Sequence, residues 1–177
     1  MESDEELIEL ANKGDSDAFE TLYWRYRDWV YRLAWRFTGD REEALDVLQE
    51  TFMYVLKKFP GFRLTASMTT FLYPVVKHLS LAIRRKKRPQ ISCEERLTEL
   101  PAPVSEQMAD QRAELAAVLG VLGEKQREVL LMRFVDDMSL QEIATALNIP
   151  IGTVKSRLHH ALRTLRDDGR TQDYFLG

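Results

Sequence analysis

Apolar residues recur along this chain at the three- and four-residue spacings of a helix face, and no stretch shows the strict alternation of a half-buried strand. Leu7, Leu10 and Ala11 predict a short first helix, and Phe19, Leu22, Tyr23, Tyr26, Val30 and Leu33 predict a longer second one. Leu45, Leu48, Phe52, Val55, Leu56 and Phe59 predict the inward stripe of a third helix, which Pro60-Gly61 should stop. A fourth series, Phe71, Val75, Leu79 and Ala82, predicts a helix that Pro74 either kinks or begins, because proline has no N–H and crowds the preceding turn. From Pro89 to Pro103 the periodicity lapses, as in a linker, and Leu115, Val118, Leu119 and Leu122 open a second helical set. The expected fold is all-α: two small helical domains, residues 1–88 and 109–177, joined by a flexible linker over 89–108.

The segment from Ser139 to Arg166 holds the densest pattern. Ser139 and Glu142 have capping-box spacing, and Leu140, Ile143, Ala144 and Leu147 fall on one helix face. Asn148-Ile149-Pro150-Ile151 breaks that helix. Gly152 permits a turn, and Thr153 is read as the N-cap of a second helix with Val154, Leu158, Ala161, Leu162 and Leu165 inward. The outward side then carries Lys155, Ser156, His159, His160, Arg163 and Arg166. A helix-turn-helix lays its second helix in the DNA major groove, and these side chains can bond phosphates and base edges. Lys155 and Arg157, in the first turn after Thr153, suit phosphates; Ser156, His160 and Arg163, at i, i+4 and i+7, suit base edges, with His159 at their border. An ordinary hairpin with a solvated basic face has the same local pattern, so the rest of the chain must discriminate.

Composition narrows the choice. With 177 residues, 45% hydrophobic and 30% charged, the chain suits one medium or two small soluble domains. No apolar run approaches the roughly 18 to 20 residues that span a bilayer, and the start, Met1 to Glu6, is acidic where a secretory signal is basic. A cytoplasmic protein without membrane insertion is expected. The lone Cys93 excludes an internal disulfide and a multi-cysteine metal site. Net charge is only −3, but its distribution is uneven: acidic residues crowd 1–20 and 40–50, whereas Arg84-Arg85-Lys86-Lys87-Arg88 is an unbroken basic run. An enzyme finds little support. His159 and His160 are adjacent, so they splay about 100° apart on a helix and cannot share one metal as an i, i+4 pair does. Glu42-Glu43 and Asp136-Asp137 sit at expected helix starts or turns, and neither a phosphate-binding glycine loop nor a nucleophile motif occurs. No catalytic residue, metal or cofactor is expected.

Three stretches point to a family. Gln126 to Phe134, Met138 to Ala144 and Ile151 to Arg166 resemble the fourth conserved region of bacterial sigma factors of the extracytoplasmic-function class. The Gly152-Thr153-Val154-Lys155-Ser156-Arg157 string is also close to response-regulator helix-turn-helices. Ala18 to Tyr26, Asp46 to Phe52 and Thr70 to Tyr73 resemble the second conserved region of the same sigma class, in the same order. A response-regulator output module or simple repressor would leave these N-terminal motifs unexplained. A helical adaptor without DNA binding would show no salt-sensitive DNA affinity when joined to polymerase.

The resemblance implies a factor that binds core RNA polymerase and directs promoter-specific initiation, with polymerase supplying the catalysis. Residues 1–88 would bind core and melt the minus-ten element, and 109–177 would grip the minus-thirty-five duplex. Asp46, Gln49, Glu50 and Met53, a mostly acidic stripe that continues to Lys57, would dock on the coiled-coil clamp of the largest polymerase subunit. The beta flap and an anti-sigma factor are further implied partners, and the free chain would be a monomer. A base leaving the stack must be received elsewhere while cations hold the strand. By resemblance that work falls to Arg63, Ser67, Thr69, Lys77, His78, Arg84 and Arg85. Phe71 stands where the family usually has Trp, and His78 where it has Asn, which leaves the base contact there open. Minus-thirty-five contacts would come from Thr153, Lys155, Ser156, Arg157, His159, His160 and Arg163.

Overall fold

The computed structural model describes residues 2–87, 116–169 and 171, and every regular element among them is helical. Cys93, Arg88, Leu115 and the stretch from Pro89 to Pro103 lie outside the described residues. The chain divides into two units, Met1–Ser92 and Cys93–Gly177.

The first unit has four helices: α1 (Asp4–Asn12), α2 (Ser16–Thr38), α3 (Arg41–Leu56) and α4 (Met68–Lys87). Their boundaries follow from local hydrogen-bond chemistry. Ser3 and Glu6 form a capping box on α1, Asp15 accepts from the Asp17 and Ala18 amides, and Asp40 accepts from the Glu43 amide. Gly39 ends α2 in the left-handed conformation, which glycine adopts without a Cβ penalty. Helix α2 packs against each of the other three, and α3 packs against α4. Leu22, Val30 and Leu33 of α2 therefore meet Leu7, Val47, Val55, Leu72 and Val76 in one buried core.

An ionic knot fastens α1 to α2. The Asp4 carboxylate accepts from Arg25 at 2.5 Å and from the Tyr26 hydroxyl, while Arg25 also donates to the Glu2 carbonyl at 2.8 Å. Burial first, and then the Asp4 hydrogen bond and charge, hold the Tyr26 phenol above its ordinary range.

Two expectations for this unit are corrected. Leu45 and Leu56 are 44% and 48% exposed, so they are not core. The buried stripe of α3 is instead Ala44, Val47, Leu48, Thr51, Phe52 and Val55, which faces α2 and α4 together. Phe59 lies beyond the helix, held by its amide bond to the Leu56 carbonyl at 3.1 Å and by edge-to-face contacts with Phe19 and Phe62. In α4 the buried residues are Met68, Thr70, Leu72, Tyr73, Val76 and Ser80, largely one position round from the expected series; Phe71, Val75 and Leu79 are half-buried. Pro74 does not begin α4: it lies within the helix, on the exposed side.

The second unit holds α5 (Glu124–Phe134), α6 (Leu140–Leu147) and α7 (Ile151–Asp167), preceded by helical residues 116–120. Val118, Leu119, Leu122, Leu130, Ala161 and Leu165 form its buried cluster, with Leu131, Leu158 and Leu162 packed on it. Arg127 closes the first turn of this unit: its guanidinium donates to the Leu119 and Leu122 carbonyls at 2.8 Å each and to that of Gly120 at 3.3 Å. The Leu119 carbonyl also accepts from the Leu122 amide at 3.2 Å, and a cation over the carbonyls at this helix end complements the helix dipole.

Candidate nucleic-acid and partner interfaces

Helices α6 and α7 form a helix-turn-helix whose turn is fixed by backbone chemistry. The Ser139–Glu142 capping box starts α6 with bonds of 2.8 and 3.2 Å. Arg133 donates to the Met138 carbonyl at 3.1 Å and ties the preceding turn to α5. Asn148 ends α6 at φ 51°, a left-handed conformation that asparagine tolerates, and the Ile149 amide returns to the Ala144 carbonyl at 3.0 Å.

Thr153 is not the N-cap of the second helix, as the sequence pattern had suggested. Pro150 occupies that position, and Ile151 and Gly152 are already helical. The Pro150 carbonyl accepts from the Thr153 and Val154 amides at 2.9 and 3.2 Å, so α7 begins three residues earlier without a side-chain cap. Thr153 is consequently in the first turn, half-buried, and Lys155 and Arg157 stand one turn further along than expected.

The inward side of α7 is as expected, with Val154, Ala161 and Leu165 buried. Lys155, Ser156, His159, His160 and Arg163 are exposed together on the outer side, and Arg157 is half-buried at its edge. His159 and His160 meet edge-to-face with ring centroids 5.8 Å apart. Arg163 lies 3.8 Å from Asp167, a pair too long and too exposed to hold the guanidinium. This face offers donors of several geometries on a rigid helix.

In the first unit, α3 presents Asp46, Gln49, Glu50 and Met53 to solvent, and its C-cap Lys57 is exposed as well. Beside this stripe runs an open groove of about 490 Å³, lined by Phe19, Tyr23, Leu45, Leu48, Gln49, Phe52, Met53 and Leu56. Leu45 and Leu56, expected in the core, are thus rims of a surface groove. The nine apolar residues from 44 to 56 are too many for one helix face, so Leu45, Met53 and Leu56, left outside the core, line this groove, which a single inward stripe does not announce. Apolar walls flanked by carboxylates suit a basic, amphipathic protein segment.

The stretch after α3 adjoins that groove through the contact of Phe59 with Phe19. Phe62 is buried against Phe59 and Phe71, at 5.4 and 4.9 Å between centroids, so its ring belongs to the core. Arg63 and Ser67 are exposed, and Ser67 caps α4 by accepting from the Thr70 amide at 3.3 Å while its hydroxyl meets those of Thr69 and Thr70. His78 and Arg85 are exposed on α4; Thr69 and Lys77 are half-buried. Arg84 is half-buried and donates to the Phe37 carbonyl at 3.2 Å, which ties α4 to the end of α2.

Among the described residues, no helix is long and apolar enough to cross a membrane. Residues 22–90 match the family described as Sigma-70 region 2, and residues 112–165 match Sigma-70, region 4. The ECF RNA polymerase sigma factor SigW of Bacillus subtilis is 32% identical over 173 residues, covering 90% of this chain and 92% of SigW. Among solved structures, CnrH in complex with the cytosolic domain of CnrY superposes with a TM-score of 0.69 at 21% identity, over 93% of this chain and 95% of that one. RpoE, crystallised with the anti-sigma factor NepR from Bartonella quintana, gives a TM-score of 0.65 at 20% identity, over 84% and 94%. Two all-helical units, a helix-turn-helix with a donor-rich face, and sequence kinship along nearly the whole length lead to one conclusion: the chain belongs to the sigma-70 family, as an RNA polymerase sigma factor of the extracytoplasmic-function class.

Proposed function

We propose that the two units divide promoter recognition between them. Residues 1–88 bind core polymerase and open the minus-ten element, and residues 109–177 grip the minus-thirty-five duplex. The observation that carries this reading is the face of α7, where Lys155, Ser156, His159, His160 and Arg163 are exposed together while Val154, Ala161 and Leu165 anchor the helix beneath them. Ser156, His160 and Arg163 read base edges; Lys155, Arg157 and Thr153 hold phosphates.

Asp46, Gln49, Glu50 and Met53 form the polymerase-docking stripe, and the groove bordered by Leu45 and Leu56 receives the apolar side of the same clamp segment. The acidic groups steer the encounter and the groove supplies buried area. The beta flap is assigned to the second unit. Arg63, Ser67, Thr69, Lys77, His78 and Arg85 receive and hold the opened strand, with Arg84 behind them fixing α4 to α2. RNA synthesis remains the work of polymerase. An anti-sigma factor controls the chain in the cytoplasm, a reading supported by the partner named for RpoE. The free chain is a monomer.

DNA binding by the free chain tests this division. Because neither unit makes all the contacts, purified protein should bind promoter DNA weakly and as a monomer, and tightly only within holoenzyme. Nanomolar, sequence-specific binding by a free dimer at physiological salt would instead mark a simple repressor.

A further inference from the structure

Asn12, the last residue of α1, reaches across to the turn that leads into residues 62–70. Its Oδ1 accepts from the Gly61 amide at 2.6 Å and the Phe62 amide at 3.0 Å, and its Nδ2 donates to the Phe62 carbonyl at 2.9 Å. The partners fix the amide's orientation, since exchanging O and N would set an NH2 group against two N–H donors and an oxygen against a carbonyl. These bonds satisfy main-chain groups that sit outside any helix. They also close a turn that only a flexible backbone can make, for Gly61 lies at φ 101°.

Phe62 is therefore held twice: its ring by Phe59 and Phe71, its backbone by Asn12. Arg63, the next residue, is exposed, and Ser67 and Thr69 follow. We infer that Asn12 is a positioning residue for minus-ten recognition, fixing the point at which the exposed stretch leaves the core and hence where Arg63 and Thr69 meet an unpaired base. This rests on the assignment of residues 62–70 to that element. A staple that merely held α1 down would change how much protein folds. A positioning residue also changes which base is preferred, because displacing a reading group by about 1 Å weakens contact with the correct base most.

The test uses holoenzyme assembled from the full chain and core polymerase, on a promoter recovered from a library. The readout is the ratio of run-off rates on the preferred and a substituted minus-ten element, with the same ratio for the minus-thirty-five element alongside. Asn12→Ala should lower the minus-ten ratio about tenfold and leave the minus-thirty-five ratio unchanged. Asn12→Asp keeps both acceptor bonds but sets a carboxylate oxygen against the Phe62 carbonyl; its ratio should fall about threefold, which decides the matter should the alanine variant fold poorly. An Arg63→Ala, Thr69→Ala double variant tests the underlying assignment separately. If it lowers the minus-ten ratio while both Asn12 variants keep it, Asn12 is only a staple. If it too leaves the ratio unchanged, residues 62–70 are not the reader, and the role given to Asn12 falls with them.

Discussion

Replacing Arg163 with alanine separates reading of a base from attraction to a phosphate. In the free protein Arg163 has little to lose: its ion pair with Asp167 spans 3.8 Å, with the two side chains 70% and 68% exposed. A solvated i, i+4 pair of this kind contributes about 0.3 to 0.5 kcal/mol, and alanine's helix propensity offsets part of that. Folding should therefore be nearly unchanged, and any larger loss belongs to DNA. A bidentate guanine contact is worth about 1 to 3 kcal/mol, hence about 5- to 150-fold in preference. Arg163→Ala holoenzyme should lose that factor on the preferred minus-thirty-five element and almost nothing on a sequence changed at the contacted base. The salt dependence supplies a second axis, because losing one phosphate contact lowers the slope of log affinity against log salt by about 0.9. A uniform loss on every sequence, with that change of slope, would make Arg163 a phosphate contact. No loss on any sequence would mean that the outer face of α7 does not lie on DNA.

Three further outcomes test other links. Reversing Asp46 and Glu50 to lysine should sharply weaken capture by core polymerase while leaving helicity and melting unchanged, since both side chains are exposed; undiminished capture would remove the clamp assignment. Tyr26→Phe should flatten the alkaline decline of stability. With its folded pKa raised, Tyr26 contributes fully below the unfolded phenol value of about 10, and that contribution is lost as pH rises beyond it. Between about pH 10 and 12 the wild-type melting temperature should fall more steeply than the variant's, and parallel curves would refute the Asp4–Tyr26 account. Arg127→Met should cost about 1.5 kcal/mol through its abandoned carbonyls. Because Trp24, Trp29 and Trp35 all lie in the first unit, the loss should appear in urea unfolding followed by circular dichroism more than in tryptophan fluorescence; an unshifted dichroism curve would contradict it.

Helix identity was readable because the apolar spacing and the caps agree. Ser139 with Glu142 announces α6, and the outer face of α7 follows from periodicity once Val154, Ala161 and Leu165 are placed inside. What escaped the one-dimensional pattern depends on partners distant in sequence. Leu45 and Leu56 have core-like spacing, but the contacts with α2 and α4 bury Ala44, Val47, Leu48, Thr51, Phe52 and Val55 and leave these two leucines at the edge of a groove shared with Phe19 and Tyr23 of α2. The start of α7 was displaced because Pro150 can serve as N-cap through its backbone alone, which a search for side-chain caps overlooks. Arg84 sits in a basic run that reads as a solvated or DNA-facing face, yet the end of α2 brings the Phe37 carbonyl within its reach. Asn12 and Arg127 carry no local signature at all, since their partners are main-chain atoms that only the folded turn brings together.

Run-off transcription with purified core polymerase on a randomised promoter library is the most direct measurement of the central claim. The chain should make core start at discrete sites that share two separated sequence elements, with the downstream element sensitive to Arg63 and Thr69 and the upstream element to Ser156, His160 and Arg163. Transcription no more specific than that of core alone, together with tight dimeric binding to a single element by the chain without core, would contradict it.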